Sequence, residues 1–343
     1  MKKIKPEEIW SYLDDHILID VRSPAEFAHA HVPNAMSLPL FNDAERAQVG
    51  TIYKQQSPEA ALLKGLDFVG AKMSGFIKKA NKWSPNRKVI VQCWRGGKRS
   101  GSMAWLLQFA GFEVVTVAGG YKAYRQHVLQ QFNNQKLKLI VIGGKTGSGK
   151  TAILKELKSL GEQVIDLEAL AHHKGSAFGW IGENKQPSSE QFDNHLFDVF
   201  RQLDPTKRVW IENESRSIGT VFIQQSFWQQ MKSAPIIHIE LPFEERVNHL
   251  VSVYAQTQIE DLCLSFEKIT KKLGYENTQK AIELVKNEQF EAAAAIALKY
   301  YDKTYNFGFD LLPIDQKYIV EVSKFDPQTT ANLLIEEAQS SIY

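Results

Sequence analysis

The chain has 343 residues, 43% of them hydrophobic and 23% charged, with a formal net charge of +2 and only two cysteines. Its length exceeds most single compact cores, so two domains are expected. No run of about 18 apolar residues argues for a membrane span, the N-terminal MKKIKPEEIW lacks an apolar signal core, and Cys93 and Cys263 fit no zinc spacing, so the reducing cytoplasm is the expected compartment.

In chain order, Ile17 to Val21 and Met36 to Leu40 read as short strands separated by helical patterns. Residues 64–99 hold ten Lys/Arg against one acid, Asp67, and carry Trp83 and Trp94. Lys78, Lys79 and Lys82 are candidate contacts for a nucleic-acid backbone there. Val89 to Gln92 is a buried parallel strand, and a loop follows it: Cys93, Trp94, Arg95, Gly96, Gly97, Lys98, Arg99 and Ser100. A helical pattern from Met103 and a strand at Glu113 to Val117 come next. A strand, a tight glycine-bearing loop and a helix with a thiol at the loop's start form a cradle. Its N–H groups converge on a sulfur nucleophile or on a bound anion. Three basic residues around the thiol are not what an inert core cysteine gathers.

The polar segment Leu129 to Lys136 reads as a linker, with residues 1–130 as a first domain, 131–136 as the connection and 137–343 as the second. Residues 1–135 carry 18 Lys/Arg and 11 Asp/Glu, and the remainder 23 and 28, so a basic half (+7) is joined to an acidic one (−5). An anionic partner for the first half follows.

The second half opens with an apolar strand, Leu139 to Ile142, and then Gly144, Lys145, Thr146, Gly147, Ser148, Gly149, Lys150 and Thr151. This is G-x-x-x-x-G-K-[ST] between a strand and an amphipathic helix, the context that makes it a phosphate-binding P-loop. Lys150 reaches terminal phosphates, and Thr151 is the position for a Mg²⁺. Downstream, RVWIENES places Glu212 and Glu214 at a strand end where a Walker-B acid belongs, or else in a solvated acidic turn; Arg216 follows, suited to clamp a phosphate. Asp166 ends another strand, ahead of Glu168, His172, His173, Lys174 and Ser176. Adjacent histidines do not share a helix face, so an anion-binding loop is expected there and no metal site is assigned.

Cys93, five residues, Arg99, Ser100 is a weak pattern alone, shared by cysteine phosphatases and rhodanese-type sulfurtransferases. LIDVRSPAEFAHAHVPNAMSLPL (Leu18 to Leu40) and VAGGYKAYR (Val117 to Arg125) resemble rhodanese signatures. Ala30 and Asn34 stand where glycines are usual, and Gln92 replaces the histidine that precedes a phosphatase cysteine. The loop is one residue longer than in common sulfurtransferases, which suits a tetrahedral anion. With CWRGGKRS, GKTGSGKT, LEALAHHKGSAFG and ENESRSIG in that order, the chain resembles the bacterial tRNA 2-selenouridine synthases.

That resemblance implies an α/β fold: an N-terminal rhodanese-like parallel-sheet domain, then a P-loop NTPase-like domain with a helical C-terminal part. It implies conversion of wobble 2-thiouridine in the tRNA anticodon arm to 2-selenouridine through an S-geranyl intermediate. Selenophosphate and geranyl diphosphate are the implied substrates, with no tightly bound cofactor. Cys93 would carry or direct selenium, its loop would hold the phosphate of selenophosphate, and the P-loop would grip a diphosphate, that of geranyl diphosphate or of an ATP-type nucleotide. Phe178, Trp180 and Phe192 are candidate linings for the geranyl tail, against ordinary core roles. Two other readings stand beside it: a rhodanese-like phosphatase or arsenate reductase fused to a nucleotide-binding domain, and a non-enzymatic RNA-binding adaptor.

Overall fold

The computed structural model describes residues 2–254, 256–310 and 317–342, the side chains of 304–310 excepted. It divides into two compact units, Met1–Asn134 with Asp193–His195, and Gln135–Phe192 with Leu196–Tyr343.

The first unit is built on β1 (Lys2–Ile4), β2 (Ile17–Asp20), β3 (Met36–Ser37), β4 (Lys88–Gln92) and β5 (Glu113–Val117). They lie in the order β1-β5-β4-β2-β3, all parallel. Val89, Ile90 and Val91 of β4 are fully buried, as an apolar β-branched run needs when helices cover both sheet faces. The strand expected over Met36 to Leu40 is only two residues long. Pro39 lacks an N–H, so the segment stays at the sheet edge, where Leu38 and Leu40 donate singly to the Asp20 and Val21 carbonyls. Three helices, Asp43–Gln55, Pro58–Gly70 and Met73–Trp83, fill the stretch between β3 and β4.

The linker reading of Leu129 to Lys136 is corrected, because the helix Gly120–Asn134 runs through most of it. Tyr121, Tyr124, Val128 and Phe132 are fully buried at helical spacing. The intervening glutamines and asparagines, which suggested a linker, form the outer face of that helix.

In the second unit β6 (Lys138–Gly144), β7 (Gln163–Ile165), β8 (Arg208–Glu212), β11 (Ile236–Glu240) and β12 (Lys317–Glu321) make a parallel sheet ordered β12-β11-β6-β8-β7. β9 (Ser217–Ile218) and β10 (Val221–Phe222) pair separately as a short antiparallel hairpin. β6 is central, with Leu139 to Ile142 buried, so its carboxyl end opens at the middle of the sheet, where ligands of such folds bind. The helical part, running from Phe243 to Asp310, stands between β11 and β12, after which the chain returns to the sheet and the helix Pro327–Ser341 packs on Lys150–Ser159. Leu262, Phe266, Ala281, Ile282, Val285, Ala293 and Ala297 give the helical part its own buried cluster.

Candidate functional site: two anion cradles

Cys93 follows β4 directly and is 3% exposed. Its Sγ lies 3.2 Å from the Ser100 hydroxyl, which donates in turn to the Gly97 carbonyl. The helix Lys98–Phe109 starts inside the loop, so its unpaired N–H groups sit at the loop's end. The loop's shape is held by the VAGGY stretch: Tyr121 N–H donates to the Cys93 carbonyl and Lys122 N–H to the Trp94 carbonyl, both at 2.9 Å. At Gly120, φ is +61° and a Cβ would come within 2.1 Å of the Cys93 carbonyl. The paired glycines of that signature are therefore a consequence of backbone packing on backbone.

Arg99 forms two hydrogen bonds with Glu26, at 2.6 and 3.3 Å. Burial pushes the Glu26 carboxyl up, but the hydrogen bonds and charge of Arg99, helped by Ser23 N–H and Arg46, outweigh it and leave the group below its ordinary value. The guanidinium is thus fixed beside the Cys93 loop, while Arg95, Gly97 and Lys98 are exposed and Trp94 is half-buried, its ring 5.8 Å from that of Tyr121.

Behind the loop, Arg22 is buried, bonds Asp20 bidentately, donates to the Ala30 carbonyl and lies 3.8 Å over the Tyr121 ring. Gln92 Nε2 reaches Asp20 at 3.2 Å, so the residue in the usual histidine position braces this ion pair. Asn34 keeps φ at +65°, a conformation asparagine tolerates in place of glycine. Ala30 is extended and needs no glycine.

Of the ten basic residues in 64–99, Lys72 pairs with Glu45, Lys88 with Asp15, and Arg99 with Glu26. Lys78, Lys79 and Lys82 are exposed on the helix Met73–Trp83, which buries Phe76 and Ala80 on its other side. Trp83 packs against the core, which leaves Trp94 as the better placed of the two indoles for stacking.

The second cradle joins β6 to the helix Lys150–Ser159. Lys150 Nζ donates to the Gly144 carbonyl at 2.9 Å, a bond internal to the loop that an incoming phosphate can replace. The positive field is felt at His238 on β11: burial, then Lys145 and Lys150, lower it to about 4.

The acids are arranged differently from the sequence expectation. Glu212 is fully buried, accepts from Leu167 N–H, and is pushed well up by burial and by Asp166 and Glu168. It does not line the cavity that opens from the P-loop, and neither does Asp166, whose carboxylate caps the helix Leu167–Ala171 through Ala169 N–H. Arg216 is exposed and also outside the cavity wall. Glu168 and Glu214 are the acids that reach the P-loop. Thr151 Oγ1 donates to Glu168 Oε2 at 2.8 Å. Gly175 leaves room for both carboxyls, since a Cβ there would lie 2.8 Å from Glu214 Oε1 and 3.1 Å from Glu168 Oε1. Burial and then the Glu168 charge raise Glu214 to about 7, against the opposing pull of Lys150, and Glu168 is raised by its own burial. The two carboxyls interact through a hydrogen bond and through each other's charge, so they titrate as a pair. Glu168 stood in the sequence only as part of LEALAHHKG. Its spacing from the P-loop, equivalent to one helix and one strand, was the signal that could have placed it.

The Thr151 hydroxyl and the Glu168 carboxylate fit a hard, oxygen-ligated cation such as Mg²⁺. Among the described residues no group of three or more His, Cys, Asp or Glu could hold a metal. Such an ion would therefore depend on phosphate oxygens and water for its remaining ligands.

From the P-loop a cavity of about 500 Å³ extends into the helical part. One end is Gly144, Thr146, Gly147, Gly149, Lys150 and Thr151 with Glu168, Lys174 and Glu214; the other is apolar, formed by side chains such as Phe178, Leu262, Phe266 and Val285. Of the three aromatic candidates Phe178 lines it, while Phe192 is buried elsewhere, and Trp180 packs behind the wall with Lys268 4.1 Å over its ring. His172 Nδ1 donates to the Lys185 carbonyl and His173 is buried, so the histidines shape this loop rather than meet a ligand in the cavity.

Fold and site together define a two-domain α/β protein: a rhodanese-like domain with a cysteine anion loop, and a P-loop domain with an apolar chamber. A rhodanese-like domain family matches residues 5–127, and the family described as tRNA 2-selenouridine synthase AAA domain matches residues 137–311. Proteins named tRNA 2-selenouridine synthase are similar along much of the chain. The one from Bdellovibrio bacteriovorus is 39% identical over 74% of this chain and 69% of its own, and that from Sulfurovum sp. is 32% identical over 87% and 90%. The one from Nitrosomonas europaea is 38% identical over 72% of this chain, and the match spans 65% of its own length. The chain belongs to the tRNA 2-selenouridine synthase family, a family of enzymes. Among the described residues, no helix is long and apolar enough to cross a membrane.

Proposed function

We propose that the protein replaces the sulfur of wobble 2-thiouridine in tRNA with selenium, in two steps that use its two cradles separately. The observation that carries the reading is the continuity of the P-loop with an apolar chamber in the same unit. The cationic end suits a diphosphate, and the chamber suits a hydrocarbon tail. Its volume lies within the roughly 300–1,000 Å³ usual for small-molecule sites. Geranyl diphosphate fits both ends.

In the first step the thiouridine sulfur attacks C1 of the geranyl group, the C1–O bond breaks, and diphosphate leaves. Lys150 and the P-loop N–H groups stabilise the charge that grows on it. A Mg²⁺ ion at Thr151 and Glu168 would supply further neutralisation.

In the second step the first cradle acts. Selenophosphate binds with its phosphate on the N–H groups of the Cys93 loop and its charge toward Arg99, Arg95 and Lys98. Selenium, already at the selenide level, attacks C2 of the base and the geranyl thiolate departs with its electron pair; water then takes the phosphoryl group, the P–Se bond breaks with its electrons left on selenium, and phosphate is released, so no oxidant is consumed. Cys93, at the start of the loop, would direct the selenium toward the base without itself being oxidised. Lys78, Lys79 and Lys82 would follow the backbone of the anticodon arm.

The test uses purified full-length protein and tRNA carrying 2-thiouridine, with nucleosides read by mass spectrometry. Geranyl diphosphate alone should yield the S-geranyl nucleoside, and adding selenophosphate should convert it to 2-selenouridine. Equal selenation without geranyl diphosphate would overturn the two-step reading.

A further inference from the structure

The chamber beyond the P-loop has one wall made by a single face of the helix Phe290–Asp310. Phe290, Ala293, Ala294, Ala297, Leu298 and Tyr301 all line it. These positions recur at i, i+3, i+4, i+7, i+8 and i+11, which is one side of a continuous helix. The alanine-rich sequence FEAAAAIALKYY is a strong helix former, so small residues can face the cavity without weakening the helix.

The two ends of this face are fixed in depth. At the Tyr301 end, the tyrosine hydroxyl accepts from Ala177 N–H at 3.3 Å. The next residue, Asp302, holds Arg246 through bonds of 2.8 and 2.7 Å, and Arg246 donates to the Thr146 carbonyl of the P-loop. Tyr301 is therefore at the phosphate end. At about 1.5 Å of rise per residue, Phe290 lies roughly 16 Å further along the helix axis. Between these two bulky side chains Ala293 and Ala297 are buried, with no side chain beyond Cβ to fill the space they border.

We propose that this helix face is the gauge that sets which isoprenoid length the protein accepts, with Ala297 keeping the middle of the channel open and Phe290 closing its far end. The proposal rests on the reading of the chamber as a prenyl-diphosphate site and adds which residues select the prenyl group. A tail of one isoprene unit stays on the phosphate side of Ala297. A two-unit tail passes it and ends before Phe290. A three-unit tail meets the Phe290 ring.

The experiment measures binding of inorganic diphosphate and of dimethylallyl, geranyl and farnesyl diphosphates to the full chain and to two variants, with folding checked by thermal melts. Overfilling or enlarging an apolar pocket by a few carbons changes discrimination about 10- to 200-fold. Ala297→Phe should therefore weaken geranyl and farnesyl diphosphate at least about tenfold while changing inorganic and dimethylallyl diphosphate by less than about threefold. Phe290→Ala, at a half-buried helix start that tolerates truncation, should raise the farnesyl-to-geranyl affinity ratio about tenfold. If the unaltered protein binds geranyl diphosphate no better than inorganic diphosphate, the prenyl reading of the chamber fails, and the gauge with it. If it prefers geranyl diphosphate but the folded variants keep the same chain-length ratios, the gauge alone is overturned. Should Ala297→Phe not fold, the Phe290→Ala ratio decides by itself.

Discussion

The Cys93 loop and the P-loop are both glycine-bearing turns between a parallel strand and a helix, and both present N–H groups to an anion, yet they are finished in opposite ways. The first is braced from behind by polar contacts: Arg22 on Asp20, Gln92 on Asp20, and the Gly119–Gly120 backbone against Cys93 and Gly96. Its outer residues, Arg95 and Lys98, are exposed. The second is backed by an apolar chamber within its own unit. In the proposed reading, the cradle with its basic rim in solvent meets a base on a large polyanion, and the cradle at the head of an apolar chamber takes a small amphiphile. What lies behind and around the same local motif is then what would distinguish the two ligands.

The largest effect that tests this contrast is at Cys93. Cys93→Ser should abolish 2-selenouridine formation, leaving the S-geranyl nucleoside to accumulate and the melting temperature near that of the parent. Cys263→Ser is the control. That thiol is half-buried in the helix Ile259–Lys268, where burial pushes it up, and its loss should leave both products unchanged. Full selenation by Cys93→Ser would remove the chemistry from the first cradle.

Next is Lys150→Ala. Removing the main point charge on the terminal phosphates should lower geranylation about a hundredfold, as loss of one strong transition-state donor does. Selenation of tRNA already bearing the S-geranyl group should be nearly unchanged. Equal loss of both steps would mean that the two cradles are not separate in function.

A smaller effect is expected from Glu214→Gln. Burial and Glu168 raise the Glu214 carboxyl from 4.5 to about 7, so between those values the folded chain binds a proton that the unfolded chain has released. That contribution is full at low pH and is lost as pH rises through about 7. At pH 8 the second negative charge beside Glu168 also repels a diphosphate when no Mg²⁺ is present. The variant should therefore melt higher than the parent at pH 8, by the equivalent of about 1–2 kcal/mol, and match it near pH 5. Its Mg²⁺-free diphosphate affinity should lose most of its pH dependence between 6 and 8. An unchanged pH profile would put the shared proton on another group.

Both cradles were legible in the sequence because each is contiguous: a strand, a glycine loop and a helix start occupy a dozen residues and carry their own periodicity. The P-loop's partner acids were not, since they come from separate elements. RVWIENES pointed to both Glu212 and Glu214, and only the packing of Leu167 on β8 shows that Glu212 is enclosed while Glu214 faces the P-loop. An apolar groove was expected, but of its wall only Phe178 was named, for a related reason. FEAAAAIALKYY reads as a good helix, but small residues announce a cavity only when their neighbours in space are known. The linker misreading at 129–136 came from composition outweighing spacing, because glutamines and asparagines hid the buried stripe Tyr121, Tyr124, Val128, Phe132.

The smallest effect expected concerns the basic rim of the first unit. Lys78, Lys79 and Lys82 project from the solvent face of a helix whose other face, Phe76 and Ala80, is locked into the core, so changing all three to Ala should leave the fold intact. Exposed lysines that contact phosphates each contribute one released counterion to the salt dependence of binding. The triple variant should bind tRNA roughly fivefold more weakly near physiological salt, and its log–log salt slope should be shallower by about 2 to 3. Affinity for geranyl diphosphate should stay the same, because the cavity proposed for it belongs wholly to the second unit. Lys271, Lys272 and Lys280 are also exposed, on the helices Thr270–Leu273 and Tyr275–Lys286, whereas Lys268 is engaged with Trp180. A triple variant with an unaltered slope, together with a reduced slope on changing Lys271, Lys272 and Lys280, would move the tRNA track to the P-loop unit and reverse the division of labour drawn between the two cradles.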